Sequence, residues 1–358
     1  MATLRLRDRD AIVTKENLVF RVLGYWHPSD AYFCDVEYAP ERIFVSDNPK
    51  AFRKGEPGVF YKFYEDEGWR FLHNRFPRYL ILHEMLQKKV VGVDHLNISE
   101  VRKPGTVLEK LVCCEPKDEL LTAVQDVVEK TTQHSGLSIA DFGVFGSLLH
   151  GFYNPEFSDI DLVVYGKKKV EAICETLEEL YRSNSSSFRN EFEMMKSVAQ
   201  KKWRFRNFTP KEYVRHQQRK QIYALFDSRD GKRIKTEFEP VKDWKEVKNE
   251  YSRGSRISQK GWTRMLARLT EDNDALFIPS VYGIAPMQIL DGEREALEAT
   301  RIISYVEEFR GQARRDETVV VEGNLEKVTT PERSFYQITL TYCPRYYEQV
   351  LKVPDLLS

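Results

Sequence analysis

The 358-residue sequence predicts an α/β or α+β core, a mixed sheet with helices, between an N-terminal α/β or β-rich domain and a small β-rich C-terminal domain. Three observations carry this. Strand, helix, strand and helix patterns alternate between 139 and 181. A hairpin signal follows at 221–240. Strand-like runs separated by polar turns lie on both sides of that core. The expected boundaries are 1–105, 106–242 and 243–358.

Taken in order, Leu18 to Tyr25 and Ala31 to Tyr38 alternate as strands around the turn His27-Pro28-Ser29-Asp30. Tyr79 to Leu86 reads as a helix or a buried strand, and Arg102 to Gly105 as a boundary. Lys117 to Thr132 has helical periodicity, with Leu120, Leu121, Val124, Val127 and Val128 on one stripe and Gly136 as its stop. Ile139 to Phe145 reads as the first core strand, Leu148 to Phe152 as a short helix, Ile160 to Tyr165 as a second strand and Lys169 to Tyr181 as a helix. Gln221 to Phe226 and Arg233 to Pro240 flank a turn at Asp230-Gly231. Beyond Asp243, Ser255 to Leu269 reads as a basic helix, and Thr300 to Phe309, Thr318 to Val328 and Arg333 to Thr341 as strands.

Composition bounds the function. Fifty-five basic and 55 acidic residues cancel, so any nucleic-acid binding must come from local patches rather than from a global field. None of the five cysteines forms a Cys-x-x-Cys pair, which fits a reducing compartment. The charged N-terminus has no apolar signal core and no run reaches membrane-span length, so a cytoplasmic protein without a membrane partner is expected.

The chemistry concentrates in Phe145-Gly146-Ser147 and Ser158-Asp159-Ile160-Asp161-Leu162. A small Gly-Ser turn follows an apolar run, and eleven residues separate Ser147 from Asp159. Strand alternation puts Asp159 and Asp161 on one face. Paired carboxylates repel unless a cation lies between them, and Mg²⁺ takes one or two carboxylates plus substrate phosphates. This pattern resembles the nucleotidyltransferase superfamily of DNA polymerase β, including its archaeal-type members. The resemblance covers roughly Ser138 to Pro240. It implies a polymerase β-like nucleotidyltransferase fold in which Gly146 and Ser147 hold the triphosphate and Asp159 and Asp161 hold Mg²⁺ or Mn²⁺.

The family carries a third carboxylate on a later strand. Glu237 is the first choice here and Glu239 the second, both on one face of their strand, although the family more often has Asp at this place. Between the diad and these glutamates runs a basic segment interleaved with aromatics, 201–220. Thr209-Pro210 starts a helix that aligns Lys211, Arg215 and Arg219 on one face, where they can meet triphosphate or a nucleic-acid backbone. Trp203, Phe205 and Phe208 either stack on a base or fill a core. His150 suits packing better than phosphate contact, and Lys167-Lys168-Lys169 reads as a solvated helix start.

The expected activity is metal-dependent transfer of a nucleoside monophosphate from a nucleoside triphosphate, with ATP as the expected nucleotide, to an acceptor hydroxyl at an RNA 3′ end. Adenylylation of a protein or small molecule, and a non-catalytic RNA-binding member of the fold, are the alternatives.

Overall fold

A computed structural model describes residues 4–193, 203–248 and 254–357. They divide into two compact units: 4–83, 87–188 and 224–247 form the first, and 84–86, 189–193, 203–223, 248 and 254–357 the second.

The first unit holds an eight-stranded sheet formed by β1 (Ala11–Thr14), β2 (Val19–Val22), β3 (Ala31–Pro40), β4 (Phe52–Gly55), β5 (Gly58–Lys62), β6 (Leu80–His83), β7 (Lys88–Asp94) and β8 (Ile98–Arg102). The expected pairing of the first two runs is present, since β2 and β3 are antiparallel. One α-helix, α1 (Glu67–Arg75), and two 3₁₀ turns, Pro77–Tyr79 and His95–Asn97, interrupt the strands, so this region is β-rich. Its core gathers Ile12, Leu18, Phe20, Tyr32, Leu72 and Tyr79.

After α2 (Pro104–Cys113) comes α3 (Glu119–Ser135), which buries Leu120, Leu121, Val124, Val127 and Val128, the stripe that the periodicity predicts. Asp118 caps its start through the Leu121 N–H (2.9 Å), and Gly136 ends it in the left-handed region. The run expected as a strand from Ile139 opens instead with a single 3₁₀ turn, Ile139–Asp141, held by a Ser138–Asp141 capping box. Strand β9 is therefore only Phe142–Val144. It is followed by α4 (Gly146–His150), β10 (Ile160–Tyr165) and α5 (Lys167–Arg182).

Strands β9 and β10 belong to a five-stranded sheet with β11 (Phe188–Asn190), β12 (Tyr223–Asp227) and β13 (Arg233–Val241), in the order β11-β12-β13-β10-β9. β10 lies antiparallel to β9 and parallel to β13, so the sheet is mixed. The chain passes into the second unit along β11 and returns along β12.

The second unit carries α6 (Pro210–Gln218) and a six-stranded sheet of β14 (Arg256–Asp274), β15 (Ser280–Asp291), β16 (Ala299–Ser304), β17 (Thr318–Thr329), β18 (Ser334–Leu340) and β19 (Val350–Lys352). The basic helix expected at Ser255 to Leu269 is the first part of β14 instead. Thr263, Met265, Ala267 and Leu269 are fully buried while Arg264 and Arg268 face outward, a period of two. Met, Leu, Ala and Arg favour helices intrinsically, but twelve register pairs with β17 outweigh that preference. The strand expected at Thr300 to Phe309 ends at Ser304, and a 3₁₀ turn takes Glu307–Phe309.

Candidate active site

The Gly-Ser turn and the diad are joined through the β9–β10 pair. Phe145 N–H donates to the Asp161 carbonyl at 3.0 Å, and Gly146 follows with φ at 62°. A Cβ at Gly146 would sit 2.5 Å from Asp161 Oδ2. Glycine is required here on two counts, left-handed backbone and close approach of a carboxylate. Ser147 Oγ donates to Ser158 Oγ (3.3 Å), which also accepts the Asn154 N–H at 2.8 Å. The turn is thus tied to the residue that precedes Asp159. Helix α4 has five residues, too few to add a sizeable macrodipole to the turn's own amides.

The parallel register between β10 and β13 pairs Asp161 with Glu237 and Val163 with Glu239. Asp161 and Glu237 are therefore side by side on one sheet face. Asp161 keeps some solvent access, but the protein around it strips enough hydration to push its carboxyl well above the usual range, and the negative charges of Glu237 and Asp159 push it further. Asp159 is open to solvent, and its carboxyl is raised by partial desolvation against the opposing pull of Lys235, Lys62 and Arg53. Lys235 Nζ lies 2.5 Å from Glu237.

Glu239 has a different neighbourhood. It is 2 % exposed, and Arg9 donates to it at 2.7 Å from a segment of the N-terminal region that is itself buried. Of the two glutamates expected to serve as third carboxylate, the register sets Glu237 beside the diad and Arg9 takes up the charge of Glu239.

The remaining predicted residues lie apart from this cluster in the chain. Lys211, Arg215 and Arg219 belong to α6 and its C-terminus in the second unit. Lys211 and Arg215 are exposed, whereas Arg219 is ion-paired with Glu317 at 2.5 Å. The aromatics of the basic segment fill a core: Phe208 is 1 % exposed, with Trp203 and Phe205 packed beside it. Lys201 and Lys202 lie outside the described residues. Lys169, expected as a solvated helix start, instead meets Asp141 at 2.8 Å and Asp243 at 3.4 Å.

His150 packs, as its sequence context suggests. Its ring stacks on Phe152 (5.2 Å) and meets Tyr38 edge-on (5.5 Å). Arg102 can only donate, so its 3.1 Å contact makes Nδ1 the acceptor and places the proton on Nε2. Burial, aided by the Arg102 charge, lowers the imidazole pKa to about 3, so the ring is neutral.

Among the described residues, no group of three or more His, Cys, Asp or Glu side chains forms a ready metal cage. The donor set still suits Mg²⁺, which keeps several waters and needs only one or two carboxylates beside substrate phosphates. Mutual repulsion among Asp161, Glu237 and Asp159 is the condition that a divalent cation relieves. Arg53, Lys62 and Lys235 escape a reading of the sequence. Lys235 is recognisable afterwards as the residue two before Glu237 on the same strand, but Arg53 and Lys62 lie far upstream with no local pattern to mark them.

Compared with known families, residues 124–229 match the model of the nucleotidyltransferase domain. The match is consistent with the polymerase β-like superfamily, and it spans the Gly-Ser turn and the diad but stops before Glu237. A nucleotidyltransferase domain implies a nucleoside triphosphate substrate and nucleotidyl transfer in general. The chain is also 24% identical over 331 residues to an uncharacterized protein of Methanocaldococcus jannaschii, covering 91% of this chain and 92% of that one. No solved structure matches the chain. No helix among the described residues is long and apolar enough to cross a membrane.

Proposed function

We propose that the chain is a metal-dependent nucleotidyltransferase that moves a nucleoside monophosphate from a nucleoside triphosphate, ATP first among them, to the 3′ hydroxyl of an RNA in the cytoplasm. The reading rests above all on Asp161, a largely desolvated carboxylate in register with Glu237 and two residues from Asp159. Asp159, Asp161 and Glu237 are the proposed ligands of Mg²⁺ or Mn²⁺, with Glu239 held by Arg9 behind them. When bound, the metal supplies Lewis-acid neutralisation of the phosphate charge. The acceptor oxygen attacks the α-phosphorus, a new O–P bond forms, and the bond from the α-phosphorus to the bridging oxygen breaks to release pyrophosphate. A carboxylate of the diad accepts the hydroxyl proton. Gly146 N–H and Ser147 hold the β- and γ-phosphates, and the Ser147–Ser158 contact keeps that turn in step with Asp159.

The RNA acceptor is the further step. It is supported by the exposed cations Lys211 and Arg215 and by accessory β-rich regions on both sides of the transferase residues. The test incubates each α-³²P-labelled nucleoside triphosphate with the protein, Mg²⁺ or Mn²⁺ and total RNA, beside an Asp159→Ala/Asp161→Ala control. Label on RNA that disappears in the control supports the reading and identifies the nucleotide. Label on protein or a small molecule alone replaces it with adenylylation. Absence of label, with RNA binding indifferent to Mg²⁺, replaces it with non-catalytic binding.

A further inference from the structure

The β4–β5 hairpin of the N-terminal region is seated on the chain immediately after α4. A Cβ at Gly55 would lie 2.1 Å from the Gly151 carbonyl oxygen and 2.6 Å from Phe152 Cα, so the two backbones touch and only glycine fits. Phe60 stacks on Phe152 at 5.1 Å, and Tyr38 of the neighbouring strand β3 meets Phe152 at 4.7 Å. Val13, Val19, Tyr38, Phe60 and Phe152 form one buried cluster.

Register then decides which hairpin side chains share this contact face. In antiparallel pairs, residues directly opposite point to the same side. Arg53 is opposite Phe60, and Lys62 is opposite Tyr38. Lys62 is also two residues from Phe60 on the same strand. Arg53 and Lys62 therefore flank Phe60 and Tyr38 on the face that packs against His150 to Phe152. Lys54, opposite Val59, points to the other face and is exposed.

Neither cation is ion-paired among the described residues. Arg53 Nη1 donates to the carbonyls of Lys50 (2.7 Å) and Phe52 (2.8 Å), which fixes the guanidinium without a counter-charge. Lys62 Nζ sits 5.9 Å from the Tyr64 ring, and neither cation has a carboxylate partner within ion-pair distance among the described residues. Their fields reach the diad: Lys62 acts on Asp159 and Asp161, and Arg53 on Asp159. The Tyr38 hydroxyl, raised chiefly by burial and by Glu37, also feels Arg53 and Asp161.

We propose that Arg53 and Lys62 bind the triphosphate of the nucleotide, so that the N-terminal hairpin supplies the cationic wall of the transferase site. This rests on the nucleotidyltransferase reading and extends it to residues outside the domain match. The triphosphate is favoured over the acceptor because the hairpin is anchored on residues 151 and 152, at the end of the helix that Gly146 and Ser147 begin. A polyanion held at that turn would have within reach two cations that no carboxylate of the described residues pairs, and charge-assisted contacts of that kind are the strong ones.

The experiment measures binding of inorganic tripolyphosphate with Mg²⁺ to the full chain by calorimetry, alongside KM for ATP in the labelling assay. Arg53→Gln and Lys62→Gln should each weaken tripolyphosphate binding roughly tenfold or more. KM for ATP should rise in parallel while KM for RNA is unchanged. Lys62→Arg should restore binding, and Lys54→Gln, which removes one charge from the opposite face, should leave it unaltered. Circular dichroism and thermal melting establish that each variant is folded, and Arg53→Met with Lys62→Met, which keep the aliphatic stem without the charge, carry the test if a glutamine variant is not. Unchanged tripolyphosphate binding in folded Gln variants of a wild type that binds would overturn the assignment and leave the transferase reading standing. Weakened RNA retention with tripolyphosphate unchanged would overturn it in favour of the acceptor. A wild type that binds neither tripolyphosphate nor ATP would overturn the transferase reading together with this one.

Discussion

Two stretches of this chain carry dense charge in the sequence, and they come to opposite ends. Around Asp159, Asp161 and Glu237, like charges sit together: register places Glu237 beside Asp161, and desolvation and mutual repulsion keep the Asp161 carboxyl from ionising freely. Around 203–220 most charges are matched or anchored. Arg219 faces Glu317, Glu212 meets Lys352 at 2.6 Å, and Lys220 donates to the Glu308 carbonyl at 2.8 Å. The aromatics of that stretch enter the core around Phe208. A folded chain tolerates an unresolved charge conflict only where something outside it resolves the conflict, whereas a matched cluster serves the fold it belongs to. Lys211 and Arg215 of that stretch stay exposed on α6.

The comparison is broken most sharply at the diad. Asp159→Ala/Asp161→Ala should lower transfer by about three orders of magnitude or more, with the fold intact by circular dichroism. A smaller loss in the labelling assay would remove the conflict from the chemistry. In the matched stretch the effect should fall on stability instead. Phe208→Ala should cost about 3–5 kcal/mol in denaturant unfolding, with ATP affinity of the folded protein unchanged. Base stacking by Phe208 would show the reverse pattern.

Glu237 and Glu239 sharpen the contrast within one strand. Glu239→Gln removes the carboxylate that faces buried Arg9 and should cost about 3 kcal/mol of stability. Glu237→Gln should leave stability nearly unchanged and depress activity. Exchanged outcomes would make Glu239 the third carboxylate. Gly146→Ala should lose about 1–2 kcal/mol through its left-handed backbone and also lose activity, because its Cβ displaces the Asp161 carboxylate.

The smallest effect is electrostatic. A carboxyl raised in the folded state stabilises the fold below its unfolded pKa, and that stability is lost as pH rises through the higher folded value. The metal-free protein should therefore melt lower as pH climbs from about 4 toward neutrality through this group. Asp161→Asn should remove that slope and raise Tm by about 2–4 °C at neutral pH. Mg²⁺ should raise Tm for the wild type but not for the variant. His150 acts oppositely: lowered from 6.5 to about 3, its neutral form contributes stability that is lost as pH falls through that window.

The sequence by itself determined the local features: the alternation of β10, the apolar stripe of α3, the turn at Asp230-Gly231, and the coincidence of Gly146-Ser147 with Asp159 and Asp161 at a workable spacing. These depend on neighbours a few residues apart, where period and turn chemistry suffice. Tertiary structure decided the rest. The β14 segment reads as a helix by propensity and becomes a strand because β17 offers it a ladder and a core. The sequence ranks Glu237 before Glu239 but puts both on one face of their strand, and the parallel register with β10 and the approach of Arg9 are what give them different neighbours. Arg53 and Lys62 carry no local signal at all. Their charge reaches the diad from a hairpin whose Gly55 lets its backbone touch Gly151, a contact between distant parts of the chain that exists only once both sheets have formed.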